Sequence, residues 1–174
     1  MTVRANKPAF NIREKLKELD YAHVPYDKMP AGSVIQYATV DSSSNISSSS
    51  AAYVNLSNAS LIFSPKLSNS KLLITFTGSL RNTVTGNARA RVPFRLVRSG
   101  TALTGYNFNE ALQIRNANFN SSLVEFNIPF LFEVTDNPKT TESLTYTWQF
   151  QSTDGAYVDM GGSTYRQTIY EIKQ

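Results

Sequence analysis

The sequence predicts an all-β fold: an antiparallel, jelly-roll-like β-sandwich of about eight strands, preceded by a short N-terminal arm and helix. After Pro30, apolar and polar residues alternate with a period of two, and Ser, Asn and Gly fill the intervening segments. No helical pattern follows Pro30. Strands of a parallel sheet would be apolar on both faces and separated by helices. We therefore expect an anchoring arm and helix at 1–29 and one β-domain at 30–174.

The predicted helix runs from Ile12 to Leu19, after an extended arm at 1–9. Asn11 is a candidate N-cap and Glu14 its reciprocal capping partner. Ile12, Leu16 and Leu19 form a narrow apolar stripe at helical spacing. An isolated helix shorter than about 12 to 15 residues is marginal in water, so this helix needs a partner. It either folds back on the β-domain or docks on another chain.

The strands are predicted from alternation of apolar and polar residues. The pattern is clearest in the segment 121–134, where apolar residues at every second position share one face opposite Glu125, Asn127 and Glu133. The same pattern places Leu72 and Trp148 in the core. The predicted strands span residues 33–40, 51–56, 59–63, 71–80, 89–98, 121–134, 143–151 and 164–172.

Two prolines and two polar segments refine this prediction. Pro93 and Pro129 fall in the middle of predicted strands, and proline cannot donate to a sheet ladder. We expect each at a sheet edge or a bulge. The Ser/Asn-rich segment 42–50 is predicted to be a loop, as is the stretch between residues 98 and 121.

The charges are unevenly distributed along a chain of net charge +4. Arg89, Arg91 and Arg95 share one face of a predicted strand, opposite Val92 and Phe94. Three interpretations are open: a solvated face paired with carboxylates of a neighbouring strand, a subunit interface, or a polyanion site. We select the subunit interface as the candidate functional role. The modest net charge and the absence of an aromatic-and-basic motif disfavour nucleic acid as a partner.

The sequence shows no catalytic or metal-binding motif. It contains no cysteine, and its one histidine, His23, lies in a linker before Pro25. Glu125 and Glu133 are too far apart along one strand to act as a glycosidase pair. No apolar run reaches the roughly 18 residues that a membrane-spanning helix needs. We therefore expect a non-enzyme with no cofactor, no metal and no membrane insertion.

The leader VRANKPAFNIREKLKELD resembles the start of virion proteins of the fibre and appendage type in marine bacteriophages, above all cyanophages. The β-domain resembles a domain of small phage structural proteins in its segments PAGSVIQ (30–36), SNSKLLI (68–74), FRLVRSG (94–100) and TIYEI (168–172). The resemblance implies a trimeric jelly-roll knob and a leader that anchors it to the virion. About ten residues, YAHVPYDKMP, separate the two, where longer fibres insert a shaft. The knob should therefore sit against the particle surface.

The residues and the resemblance together predict a non-enzymatic virion structural protein. Its partners are other virion proteins of the capsid, portal, adaptor or tail, and it assembles as a homotrimer. The anchoring residues are Phe10, Ile12, Leu16 and Leu19. Two alternatives remain: a capsid cement protein, or a receptor-binding tip that contacts a host surface glycan. For the tip, the candidate ligand contacts are aromatic residues in predicted loops, although such residues commonly cover core edges. They are Tyr106, Phe108, Phe119 and Tyr157.

Overall fold

The described part of the β-domain consists mainly of antiparallel strands. The computed structural model describes residues 24–43, 46–85, 89–115, 123–153, 157–159 and 164–174. Two single 3-10 turns, Tyr26–Lys28 and Ser57–Ala59, accompany the strands. The strands of these ranges are β1 (Val34–Ser42), β2 (Ser47–Ser48), β3 (Val54–Asn55), β4 (Leu61–Phe63), β5 (Lys71–Thr85), β6 (Arg89–Arg98), β7 (Thr101–Arg115), β8 (Leu123–Asp136), β9 (Leu144–Phe150), β10 (Tyr157–Asp159) and β11 (Tyr165–Ile172).

The strands form two sheets, which we call sheet A and sheet B. In sheet A, β8 pairs with β5 along one edge, from Leu72 to Thr85. The other edge of β5 pairs with β11 and, further along, with β10. β1 pairs with β11, and β2 pairs with β10. In sheet B the order is β9, β6, β7, and β3 and β4 share the remaining edge of β9. Each sheet therefore has four strand positions.

The order of pairing is that of a jelly roll. The first strands of the domain pair with the last ones: β1 pairs with β11, and β2 with β10. Moving inward along the chain, β3 and β4 pair with β9, β5 pairs with β8, and β6 pairs with β7. The chain thus behaves as one long hairpin that rolls up, and the pairs β11–β5 and β9–β6 complete the two sheets. A double sheet built in this way is a jelly roll. The predicted fold class is confirmed.

The core lies between the two sheets and is rich in aromatic rings. Trp148 is fully buried, and its ring centroid lies 5.1 Å from that of Phe76, 5.7 Å from Phe132 and 6.1 Å from Phe108. Rings at these separations attract beyond the effect of their burial. The alternation predicted these inward positions correctly, because every one of the following is buried: Leu72, Ile74, Phe76, Leu80, Val92, Phe94, Leu96, Phe130, Phe132, Val134, Tyr146, Trp148 and Phe150.

Gly78 allows the aromatic core to close over β5. It lies opposite Phe130 in the ladder between β5 and β8. A Cβ atom at this position would lie 2.8 Å from the Cβ of Tyr165 and 3.0 Å from the Cζ of Phe130. Any larger residue would collide with Tyr165 and Phe130. This close packing explains why glycine, which usually weakens a strand, occupies the middle of β5.

The structure corrects the prediction of a loop between residues 98 and 121. Residues 101–115 form the long strand β7, paired with β6. The register with β6 shifts between Val92 and Phe94 and again between Arg95 and Val97, and Gly105 has a φ of +86°. Each irregularity changes the phase of inward and outward residues, so the sequence lacks the regular alternation of a strand. The segment 42–50 is also only partly a loop, because it contains the end of β1 and the whole of β2.

Both mid-strand prolines occupy positions that need no amide donor. Pro93 lies at the first register shift between β6 and β7, and its carbonyl accepts a hydrogen bond from the amide of Gln151 at 3.1 Å. Pro129 lies on β8, whose described pairing is with β5 alone, so β8 is an edge strand of sheet A. The predicted bulge and edge positions are confirmed.

Different strand ends and connections lie at the two ends of the sandwich. We call the end at Val34 and Ile172 the base and the opposite end the top. The short connections 64–70, 99–100 and 137–143 lie at the base. At the top, Thr85 at the end of β5 is opposite Leu123 of β8, and Arg89 at the start of β6 is opposite Arg115 of β7.

The described chain begins at the base, tied to its own C-terminal segment. The Gly32 amide donates to the Lys173 carbonyl at 2.8 Å, and the Lys173 amide donates to the Ser33 carbonyl at 2.9 Å. The Lys173 ammonium donates to the carbonyl oxygens of Asp27, at 2.6 Å, and Met29. The described segment that follows residue 23 in the chain is therefore bound at the base. The predicted helix Ile12–Leu19 lies outside the described residues.

Candidate interaction surfaces

A buried carboxylate, paired with a partly exposed arginine and a buried tyrosine, joins the two sheets at the base. Asp136 ends β8 in sheet A and is nearly inaccessible to solvent. Arg98 of β6 donates from Nη1 to both of its carboxylate oxygens, at 2.8 and 2.9 Å, and Tyr146 of β9 donates its hydroxyl at 2.6 Å. Charge-assisted bonds of this kind are short and strong. We call Asp136, Arg98 and Tyr146 the clamp, because they link sheet A to sheet B. The Asp136 carboxylate is occupied by these bonds.

The clamp predicts a loss of stability at alkaline pH. Burial, with the nearby Asp136, raises the pKa of Tyr146 far above its ordinary value of 10.0. The folded state therefore keeps this proton when the unfolded chain loses it, so the contribution of Tyr146 is fully present below about pH 10 and declines above it. We expect the stability difference between the natural chain and Tyr146→Phe to shrink between about pH 9 and 11, as measured by urea unfolding. Tyr37→Phe, at an exposed ring, is the control and should show a constant difference.

A second buried carboxylate holds a loop at the base. Glu171 of β11 is fully buried, and it accepts hydrogen bonds from the backbone amides of Lys66 and Leu67 at 2.9 to 3.0 Å. The Gln36 amide nitrogen donates to Glu171 at 2.7 Å and to the Ser64 carbonyl at 2.8 Å. These bonds fix the connection between β4 and β5. Gln36, Arg98 and Glu171 belong to three of the four segments on which the phage resemblance rests, so those segments supply structural contacts.

The outer face of sheet B carries a rigid polar platform around Arg95. The guanidinium lies 3.8 Å above the ring centroid of Tyr53, and its Nε donates to Oε1 of Gln149 at 2.5 Å. The Gln149 amide nitrogen donates in turn to Oδ1 of Asn55 at 2.6 Å. Asn55, Gln149 and Arg95 are directly opposite one another in the ladder, and Asn107 is the next residue of this row. The stacking and the hydrogen bond together fix the guanidinium in one position.

The other two arginines of the predicted subunit interface lie nearer the top of the same strand. Arg91 is partly buried, and its carbonyl accepts hydrogen bonds from the amide and hydroxyl of Thr153, both at 3.0 Å. Arg89 is opposite Arg115 in the ladder, and its side chain lies outside the described part of the structure. Of the three interpretations, pairing with carboxylates of a neighbouring strand does not describe Arg95, whose partners are Gln149 and Tyr53. The interface role itself stays a prediction.

The outer face of sheet A is hydroxyl-rich and carries one exposed ion pair. Arg166 donates from Nε and Nη2 to Asp41 at 2.6 and 3.0 Å, and these hydrogen bonds hold the pKa of Asp41 below its ordinary value. The neighbouring row consists of Thr39, Thr168, Thr75 and Glu133. Glu133 is exposed and has neutral residues across the ladder.

Several large apolar side chains remain exposed on the surface. Tyr37 on sheet A is 68% exposed and stacks on Tyr170 at a centroid distance of 6.2 Å. Leu131 lies two residues from Glu133 on the outer side of β8 and is 65% exposed. Exposed apolar groups beside polar ones are typical of surfaces that bind other proteins, although isolated ones are common. The remaining examples are Val24, Val34 and Ile62.

The loop position predicted for three of the four candidate ligand contacts is wrong, because Tyr106, Phe108 and Tyr157 lie in strands. Tyr106 and Phe108 both lie in β7. Phe108 packs on the core, 4.8 Å from the ring of Phe132, as the alternative role of covering a core edge predicts. Tyr157 begins β10 opposite Thr83 near the top, and its side chain is not among those described. Phe119 belongs to the connection 116–122, outside the described residues.

The anchoring residues predicted from the leader also fall outside the described part. Phe10, Ile12, Leu16 and Leu19 precede residue 24, where the description begins. Sequence reasoning named Arg95 but missed Tyr53, Gln149 and the buried carboxylates. Gln149, Asp136 and Glu171 lie in strands and Tyr53 directly precedes β3, but only the register between strands shows which side chains meet.

The described ranges contain no chemistry that indicates a reaction. No group of three or more His, Asp or Glu residues in them is placed to hold a metal ion. No helix in them is long and apolar enough to cross a membrane. The buried carboxylates Asp136 and Glu171 are each occupied by contacts that join parts of the fold.

Comparison with known proteins gives weak structural matches. No protein-family model matches the chain, and no curated protein matches it. Similar solved structures include the VP2 subviral particle of infectious bursal disease virus, at 11% identity and a TM-score of 0.33, covering 82% of this chain and 38% of that one. T=1 particles derived from the same virus match at 10% identity and a TM-score of 0.35, covering 87% and 40%. The chain thus spans about two fifths of the length of these proteins. Similarity at these TM-scores assigns no function, and the fold assignment rests on the strand pairing described above.

Proposed function

We propose that this chain is a non-enzymatic structural protein of a bacteriophage virion. Its leader attaches it to the capsid or tail, and its β-domain assembles, as a homotrimer, into a short fibre, knob or head decoration. The observation that carries the proposal is the polarity of the jelly roll: the segment 27–33, which follows the leader in the chain, is bound at the base, and buried polar groups there tie sheets and loops together. The leader's resemblance to phage anchoring segments supplies the context.

The polarity also supports a division of labour along the molecule. The segment 27–33 is bound at the base, where Glu171 fixes a short connection and Asp136 joins the two sheets. The strand ends Thr85 and Leu123 lie at the far end. If the leader anchors the protein, the base faces the particle and the top faces away from it. A large side chain such as Leu16 contributes roughly 1.5 to 3 kcal/mol when fully buried, so a trimer with three leaders gains most of its hold from multivalency.

The test of the anchor is the double variant Leu16→Asp, Leu19→Asp. We expect the variant to be lost from purified particles, because two charges would enter the buried stripe of the helix. The matched control is Arg13→Asp, Lys17→Asp, which places the same new side chains on the polar face and should leave incorporation largely intact. The circular dichroism and thermal unfolding of both purified variants should match the natural protein. Normal incorporation of the stripe variant would refute the anchor.

A receptor-binding tip is the second candidate function. It is favoured by the polarity of the sandwich, because a ligand-binding end should lie away from the base, where the segment 27–33 is bound. Phe119 belongs to the stretch of sequence between Arg115 and Leu123, two residues that lie at the top, and Tyr157 begins β10 opposite Thr83. Binding of the purified protein to host cells or to a glycan array, weakened by Phe119→Ala and unaffected by Ile62→Ala, would support this role. A protein that binds neither has no tip function.

A further inference from the structure

Arg95 holds a fixed positive charge that binds no carboxylate among the described residues. It lies between the buried Phe94 and Leu96, so its side chain is on the outer face of sheet B. The neutral Tyr53 ring covers one face of the guanidinium, and the neutral Gln149 accepts the hydrogen bond from its Nε. Within the described residues no carboxylate contacts it, whereas Arg98 and Arg166 each bind an aspartate. The edge formed by Nη1 and Nη2 is therefore available for a carboxylate, which it can bind through two parallel hydrogen bonds.

Glu133 is the complementary group on the other side of the sandwich. It lies between the buried Phe132 and Val134, so it is on the outer face of sheet A. It is exposed, and among the described residues none donates a hydrogen bond to it. Thr75 is opposite it in the ladder, and the rest of that row is also threonine. The exposed Leu131 on the same face adds apolar area beside this charge.

We propose that Arg95 of one copy binds Glu133 of a neighbouring copy, so that the outer face of sheet B packs against strand β8 of the next molecule. The inference rests on the proposed self-assembly of the β-domain and names the contact that produces it. Each partner is a charge on an outer face with neutral neighbours, and the two charges are opposite. A guanidinium that is already fixed loses little conformational freedom on binding. Arginine and tyrosine are also the residue types that dominate binding energy at interfaces.

The geometry requires a heterologous contact. Arg95 and Glu133 lie on the outer faces of opposite sheets, which point away from each other. A single twofold interface cannot contain both groups, so each copy offers one surface to one neighbour and the other surface to another. Contacts of this kind build closed rings when the rotation closes. They build open arrays when it does not. Closure into the trimer of the proposed function requires that β8, an edge strand of sheet A, meets sheet B of the next copy at a steep angle.

Charge reversal tests the pair directly. We expect Arg95→Glu and Glu133→Arg each to reduce the oligomer to monomer mass, measured by sedimentation at a protein concentration where the natural chain is assembled. The double variant Arg95→Glu, Glu133→Arg should regain the oligomer mass, because the charges are again opposite. The control is the double reversal Asp41→Arg, Arg166→Asp, which exchanges an exposed pair within one chain and should leave the mass unchanged. Circular dichroism establishes that each variant is folded.

Milder variants cover the case in which a reversal disturbs the platform around Tyr53. Arg95→Gln and Glu133→Gln remove the charges with little change of volume, and each should weaken assembly. If the natural chain is an oligomer and the single variants keep its mass, the proposed contact is wrong while self-assembly stands. The pairing is also wrong if both single reversals give monomers and the double variant stays monomeric. If the natural chain is a monomer at all concentrations, both the contact and the proposed self-assembly fail.

Discussion

Asp136→Ala is expected to lower the free energy of unfolding by about 3 to 5 kcal/mol. The substitution leaves the partly buried guanidinium of Arg98 and the buried hydroxyl of Tyr146 without their shared acceptor. The Tyr146 hydroxyl then stays buried without an acceptor, whereas the Arg98 guanidinium, 32% exposed, can turn partly to water, so the loss should fall at the lower end of this range. The clamp also joins β8 of sheet A to β6 and β9 of sheet B, so its loss affects the contact between sheets. Urea unfolding, followed by circular dichroism at one fixed protein concentration, measures the change.

Asp41→Ala is the matched control for this prediction. Asp41 also binds an arginine through two hydrogen bonds, at 2.6 and 3.0 Å, but on an exposed face of sheet A. Exposed ion pairs contribute little, because water and salt replace the lost partner. We expect this variant to unfold almost as the natural protein does. Equal effects of the two substitutions would show that burial does not distinguish the pairs and would contradict the role of the clamp.

Trp148→Ala is the second substitution with a large expected effect. Trp148 is fully buried at the centre of sheet B and lies against the rings of Phe76, Phe108 and Phe132. Its removal leaves a cavity that rigid neighbouring strands cannot fill, and such truncations cost about 3 to 5 kcal/mol. Since Trp148 is the single tryptophan of the chain, unfolding of the variant must be followed by circular dichroism rather than by tryptophan fluorescence.

Ile62→Ala provides the comparison for the tryptophan. Ile62 lies in the same sheet, on β4, and is 68% exposed. Substitutions at such positions usually change stability by no more than about 0.5 kcal/mol. A loss at Trp148 as small as the loss at Ile62 would mean that the aromatic core does not hold the sheets together. Phe132→Leu offers an intermediate case, since it keeps most of the buried volume beside Trp148.

The local pattern of the sequence was sufficient for the fold class and for much of the core. Alternation placed Leu72, Phe94 and Trp148 inside because the direction of a side chain in a regular strand depends only on its parity. Proline chemistry placed Pro93 and Pro129 at a bulge and an edge for an equally local reason. The same reasoning failed for β7, where two register shifts and Gly105 interrupt the parity that it relies on.

The sequence by itself therefore determined an antiparallel sandwich, its inward faces and the presence of a segment before Pro30 with a different, helical pattern. Only the tertiary structure decided which polar groups meet. Glu171 binds the amides of Lys66 and Leu67, Arg98 binds Asp136, and Arg95 lies on Tyr53, and each of these contacts joins strands or loops that are distant in the chain. Such contacts depend on strand order and register, which are fixed by the packing of the whole core and not by the neighbours of any one residue.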